Sequence, residues 1–268
     1  MIQLSREIRF TLARPSGDGT VGNSWSGWPV SNSIAPYLIL KCAVNGQPDP
    51  QTGYVCNIKE IDNLLRGIVL QRLVPIYEQS LADQKMDRLT PERLLRTVYR
   101  EAQSEWNSHA EIDHISLLLS PFIRYSVFAR DSHMVQMTQQ FEFSAAHRLH
   151  CEELSDEKNK ALFGKCNNAE GHGHNYVIEV TVGDKIDSDA GTVVSMHAFE
   201  STVKRLIIDR LDHKHLNRDV EHFKSTIPTV ENIAIAIWDW LNGQIEGAEL
   251  SSVRVYETPK TWAEYRGK

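Results

Sequence analysis

Apolar and polar residues alternate from the start of the chain. Ile8, Phe10 and Leu12 fall on one side of an extended backbone and Arg9 and Thr11 on the other, which is the two-residue period of a half-buried strand. A loop rich in Gly and Ser is expected from Pro15 to Ser33, then a strand from Tyr37 to Val44. The turn Asn45-Gly46-Gln47-Pro48-Asp49-Pro50 follows, with a further strand near Tyr54 to Asn57. Here the period changes. Ile61, Leu64, Leu65, Ile68 and Arg72 recur at helical spacing, and Pro75 is expected to end that helix. Thr90-Pro91-Glu92 places a capping hydroxyl before a proline at the first helical position, and the helix runs to about Trp106. Ile115 to Leu119 and Tyr125 to Phe128 read as closing strands.

The second half repeats the order. Strands are expected near Gln140 to Ala146 and Tyr176 to Val182, then a turn at Asp187-Ser188-Asp189-Ala190-Gly191 and a strand from Thr192. Phe199, Val203, Leu206 and Ile207 form one helical face that ends near Leu211. Pro228-Thr229-Val230-Glu231 starts another helix, with Ile233, Ile237, Trp240 and Leu241 on its buried stripe and Gly243 at its end. Ser252 to Glu257 and Thr261 to Tyr265 complete the strands. The Asp49 to Val55 stretch aligns with Asp187 to Val193 at an offset of 138, and Thr90-x-Glu92 with Thr229-x-Glu231 at 139. Such a period implies a tandem duplication of a two-strand, two-helix, two-strand module, over residues 1–133 and 134–268.

Composition narrows the class. The chain has 268 residues, 41% hydrophobic and 24% charged, enough apolar material for a real core. Its net charge of -6 argues against a nucleic-acid surface, which wants a basic face. Met1 to Glu7 meets charge before any apolar run, so no signal peptide is expected, and no stretch reaches transmembrane length. Cys42, Cys56, Cys151 and Cys166 follow no tight pattern, as reduced thiols in a cytoplasm would not.

The chemistry gathers between Phe141 and Val180. His172 and His174 are two apart, so they project from one face of the strand that Tyr176 to Val180 continues. Gly173 between them leaves room on the other face and lets the backbone come close to something. His147 ends the preceding strand and can supply a third imidazole. Three neutral imidazoles with one open position are what a catalytic zinc site needs. Cys166 lies six residues before His172 and reads as a thiol beside the metal, not a ligand. The charged stretch from Cys151 to Lys165 reads as an irregular loop folding over the site.

Other groups have two readings each. Asp212-His213 suits a proton relay, since a carboxylate fixes an imidazole's tautomer, but it equally suits a cationic His at a helix C-terminus. Glu257, at a strand end, can accept two parallel hydrogen bonds from an N–H/NH2 edge such as a 2-aminopyrimidinone, or stand exposed. Glu231 is a helix-start carboxylate whose side chain can also reach a ligand. His150, His197, His215 and His222 have no partners at telling spacing and read as surface or core histidines. At the repeat offset, His172 and His174 fall on Ile34 and Pro36, Cys166 on Trp28, Asp212 and His213 on Val74 and Pro75. Glu257 falls close to Pro121 and His147 near Arg14, and no His-x-His occurs in residues 1–133. The first module keeps the plan and lacks the chemistry.

Phe143-Ser-Ala-Ala-His147, Leu162-Phe-Gly-Lys-Cys166-Asn-Asn-Ala-Glu-Gly-His172-Gly-His174-Asn-Tyr176, Leu211-Asp-His-Lys214, Thr229-Val-Glu-Asn232 and Val255-Tyr-Glu-Thr258 together resemble the 6-pyruvoyltetrahydropterin synthase family over about residues 138–267. The resemblance implies an α+β tunnelling fold (T-fold), each module a four-stranded antiparallel sheet with two helices on one face, assembled into barrels. It implies zinc on His147, His172 and His174, Cys166 as base, Asp212 and His213 as relay, and Glu257 as pterin anchor with Thr229 and Glu231 nearby. The implied substrate is 7,8-dihydroneopterin triphosphate, and the implied partner is further copies of the chain, a trimer or higher, with neither nucleic acid nor membrane. The Cys-x5-His-x-His spacing is similar to the pyruvoyl-forming branch, whereas 6-carboxytetrahydropterin synthases usually have Cys-x3-His-x-His. Ser195-Met196-His197-Ala198 departs from relatives that often carry Asp there. The alternatives are the carboxy-forming reaction and a non-catalytic pterin-binding assembly protein.

Overall fold

The computed structural model describes residues 1–12, 34–86, 89–185 and 191–267. The expected loop from Pro15 to Ser33 and all but Gly191 of the turn at 187–191 lie outside them, as do Arg14 and Trp28. The chain divides into two compact units: Met1–Met137 with Asp184–Val193, and Thr138–Gly183 with Val194–Lys268. The division therefore falls inside a strand, four residues past the expected boundary, and a segment from the second half of the sequence belongs to the first unit.

In the first unit, β1 (Ile2–Thr11), β2 (Tyr37–Gly46), β3 (Glu111–Ser120) and β4 (Ile123–Phe128) pair in that order, antiparallel where registers are defined, and β4 is followed by the start of β5 (Asp131–His147). Between β2 and β3 lie α1 (Ile58–Ile68), a π turn at Val69–Leu73, α2 (Val74–Ala82) and α3 (Pro91–Glu105). Alternation does what the sequence foretells: Ile8 and Phe10 of β1 and Leu40 and Cys42 of β2 are buried, α1 packs on β1 with its Ile61 and Leu65 buried, and α3 packs on β3 and β4 with its Leu95 and Val98 buried. Each such aliphatic side chain removed from water stabilises by about 1.5–3 kcal/mol.

Two expectations fail here. Tyr54 to Asn57 form no strand: Val55 and Cys56 bend the chain, and Asn57 caps α1 by accepting the Lys59 N–H at 3.0 Å. Pro75 does not stop the helix. The preceding π turn carries the Val74 N–H to Val69 O, five residues back, so the wider turn takes up the proline ring where an ordinary α-turn would clash with it.

In the second unit the end of β5 is followed in sheet order by β6 (His172–Lys185), β8 (Glu249–Thr258) and β9 (Thr261–Tyr265), while β7 (Lys214–His215) runs parallel to β5 at Ala145 and Ala146. The connections hold α4 (Asp156–Phe163), α5 (Met196–Val203), a π turn at Lys204–Ile208, α6 (Asp209–Leu211), α7 (Leu216–Asp219) and α8 (Val230–Leu241), which packs on β8 and β9. No strand begins at Thr192. Ser195 instead caps α5, its Oγ accepting the Ala198 N–H at 3.4 Å. The 151–165 stretch is not irregular either: Ser155 caps α4, and the fully buried Asn159 accepts the Cys151 N–H while donating to Cys151 O and Leu154 O.

Each unit thus runs strand, strand, a helix interrupted by a π turn, a second long helix, strand, strand. Together they make an α+β fold.

Candidate metal centre

Strand geometry brings the centre together. His147 is the last residue of β5, and His172 and His174 open the neighbouring β6. Their ring centroids stand 4.5 Å (147–172), 5.2 Å (147–174) and 4.7 Å (172–174) apart. The end of β8 adds Glu257, whose Oε1 is 3.3 Å from His147 Nε2 and 3.5 Å from His174 Nε2. One donor atom from each of the four lies within 4.8 Å of all the others. The strand-end carboxylate therefore sits beside the imidazoles.

The tautomer of His147 is fixed from outside. Its Nδ1 is 2.7 Å from the Pro228 carbonyl and so carries the proton, leaving the Nε2 lone pair facing His172 and Glu257. The ring is fully buried, and burial, opposed in part by that hydrogen bond, pushes its pKa down to about 4. His172 is likewise pushed down, first by burial and then by His174, so both stay neutral at pH 7. His172 Nδ1 and His174 Nε2 are buried without hydrogen-bond partners. A tetrahedral ion bound at about 2.0–2.1 Å holds its nitrogens about 3.3 Å apart, and His147 Nε2 and His172 Nε2 are 3.1 Å apart. Neutral imidazoles, an orphaned ring nitrogen and this spacing fit a metal ion.

Cys166 lies in the single 3-10 turn Gly164–Asn167 that follows α4. Burial first, then the charge of Glu257, raises its thiol above the ordinary range, so it stands near the centre without joining the donor set. Asp212 and His213 are anchored separately. Asp212 Oδ1 accepts the Ser144 N–H at 2.9 Å, Oδ2 is 2.8 Å from His213 Nδ1, and the His213 N–H donates to Ser144 O at 2.7 Å. These bonds, Ser144 first, hold Asp212 below the usual carboxylate range. The His213 ring is 83% exposed and lines, with His174 and Gly173, a groove of about 520 Å³. Thr229 caps α8, directly after the Pro228 that fixes His147, while Glu231 is exposed and touches none of the four donors.

The sequence leaves several contributors unmarked. Tyr176, fully buried, has its hydroxyl 3.3 Å from His147 Nδ1. His215 has both ring nitrogens buried and unpartnered, and lines both the groove beside His213 and a second one of about 590 Å³ beside Arg148. The close backbone approach expected at Gly173 occurs at Gly171 instead. There φ is +75°, and a Cβ would lie 2.8 Å from both His147 O and His215 Nε2, whereas at Gly173 the nearest atom would be 3.7 Å away. The missing partners are carbonyls and unpaired rings, which no spacing rule marks.

The family described as 6-pyruvoyl tetrahydropterin synthase matches residues 136–268, which include every residue of this centre. The chain is similar to the 6-pyruvoyl tetrahydrobiopterin synthase of Drosophila melanogaster, 46% identical over 132 residues that span 49% of this chain and 79% of that one. It is similar also to the Homo sapiens protein of the same name, 43% identical over 133 residues, 50% of this chain and 92% of that one. Among solved structures, that of Caenorhabditis elegans 6-pyruvoyl tetrahydropterin synthase shares 41% identity, covering 50% of this chain and 96% of that chain, with a TM-score of 0.48.

Proposed function

The chain belongs to the 6-pyruvoyl tetrahydropterin synthase family, and on that premise we propose that it is a zinc-dependent lyase that eliminates triphosphate from 7,8-dihydroneopterin triphosphate to give 6-pyruvoyltetrahydropterin. The observation that carries the reading is the meeting of three imidazoles from two strands with the Glu257 carboxylate. His147, His172 and His174 hold the zinc. The bound ion supplies Lewis acidity, which makes the side-chain hydroxyls of the substrate and the adjoining C–H more acidic.

The remaining steps belong to the protein. Glu257 accepts hydrogen bonds from the pterin's N–H/NH2 edge, which points the side chain of the substrate at the imidazoles. Cys166 removes the acidified proton. Its raised pKa in the metal-free chain comes from burial and from Glu257, and a cation at the imidazoles opposes both. The electron pair left behind expels the triphosphate, and tautomerisation gives the diketo product. Asp212 keeps the His213 Nδ1 protonated, so that its other nitrogen exchanges protons along the groove shared with His174. Thr229 and Glu231 form the helix start beside the site. Arg148 is a half-buried guanidinium bonded to the Asn167 amide and His150 and to no carboxylate among the described residues, which suits the leaving triphosphate.

Residues 1–133 are read as a T-fold module without chemistry that takes the place of a second catalytic one, so that each chain carries one zinc in a cytoplasmic homo-oligomer, a trimer or higher. All four cysteines are free thiols, as that compartment requires. The reaction is tested by release of inorganic triphosphate from 7,8-dihydroneopterin triphosphate. Release by the zinc-loaded chain and its absence in His172→Ala are expected, and equal release by both would end the assignment.

A further inference from the structure

The first unit contains a groove of about 570 Å³ between one face of α3 and the turn that leads into β5. Arg96, Arg100 and Gln103 recur at the four- and three-residue steps of a single helix face, with Tyr99 between them. Ser132 and His133, at the start of β5, close the other side. No carboxylate lines this groove. In a chain of net charge -6, two guanidinium groups and an imidazole around one space reverse the sign locally.

These groups are held in place and only partly used. Arg96 Nη1 donates to the His133 carbonyl at 3.0 Å, which pins the guanidinium across the groove, and its other N–H groups meet no acceptor among the described residues. Tyr99 is only 8% exposed. Its oxygen accepts the Gln103 side-chain N–H at 3.1 Å, while its own proton meets no acceptor among the described residues. Burial raises the Tyr99 pKa against the effect of that hydrogen bond, so the hydroxyl remains a donor. Buried donors are seldom left without an acceptor. Arg100 is 3.6 Å from Glu101, whose carboxylate Arg72 holds more closely at 3.0 Å. Asp131 is exposed at the start of β5 and outside the lining.

We propose that this groove binds an oligophosphate, a run of two or three phosphoryl groups either free or carried by a small molecule. Arg96 and Arg100, about one helical turn apart, each present a planar fork that matches phosphoryl oxygens. The Tyr99 hydroxyl gives its unspent proton to a further oxygen, and Ser132 and His133 supply donors from the opposite wall. Orthophosphate meets fewer of these donors, and a long nucleic acid is repelled by the net negative chain. The proposal stands on this groove alone and holds whatever the metal centre turns over.

Calorimetric titration of the zinc-loaded full-length chain with inorganic triphosphate tests it. Arg148 offers triphosphate a second place, so Arg148→Ala is titrated beside the wild type, and both are expected to bind at the groove. Arg96→Ala/Arg100→Ala is expected to bind there roughly 100-fold more weakly, about tenfold for each charge-assisted hydrogen bond lost, with an unchanged melting temperature. Should that chain misfold, Tyr99→Phe keeps the ring, loses the donor and is expected to bind about fivefold more weakly. A nucleoside triphosphate bound more tightly than inorganic triphosphate identifies a nucleotide as the ligand, and the reverse order identifies free polyphosphate; either supports the site. No uptake by Arg148→Ala, or uptake by the folded groove variants equal to that of the wild type, overturns the proposal. Orthophosphate bound as tightly as triphosphate overturns it too.

Discussion

His147 has both ring nitrogens committed by the fold, Nδ1 to the Pro228 carbonyl and Nε2 to the centre. Because its pKa falls to about 4 when buried, the unfolded chain takes up the proton first as pH drops. Stability tied to this residue is whole above about pH 6.5 and is lost as pH falls through 4. Chemical denaturation of the metal-free protein at pH 7 and pH 4.5 should show a loss of about 2–3 kcal/mol that His147→Gln largely removes. A loss of the same size in that variant would contradict the buried neutral ring. At Cys166 the expectation is opposite in kind. Cys166→Ala should keep its zinc and lose turnover by roughly 100- to 10000-fold, the range for a missing general base. If that variant is isolated without metal, the thiol is a ligand.

At the scale of elements, the turn into β6 decides whether the imidazoles meet. Gly171 lies at φ +75° against His147 O and His215 Nε2, and an L side chain there costs about 1–2 kcal/mol in backbone conformation before any clash. Gly171→Ala should therefore lower the melting temperature and most of the zinc occupancy, whereas Gly173→Ala should do neither. A fully loaded Gly171→Ala would show that the turn yields. What the sequence made legible here follows from period and spacing. The two-residue step from His172 to His174, the long strands and the caps at Thr90 and Thr229 were all readable. What escaped depends on contacts distant in sequence. The π turn that carries a helix past Pro75, the helix α4 built around Asn159 and the unpaired His215 have no local signature. Glu257 was legible as a strand-end carboxylate, but its place against two imidazoles follows from the order of β6 and β8 in the sheet.

At the scale of the whole molecule, the first unit matters through a segment it takes from the second half of the sequence. A chain beginning near Met134 lacks Thr90 and Glu92, so Gly191–Val193 loses its two bonds and the Arg93 cover. That truncation should keep its zinc ligands but change its sedimentation and melt at lower temperature. An oligomer and activity equal to those of the full chain would show that residues 1–133 fill no structural place. The central claim concerns the reaction itself, and the mass of the product formed from 7,8-dihydroneopterin triphosphate tests it most directly. The account predicts that the zinc-loaded full-length chain yields 6-pyruvoyltetrahydropterin, with triphosphate lost and every carbon of the side chain retained. A 6-carboxytetrahydropterin product accompanied by acetaldehyde, or substrate recovered intact, would contradict it.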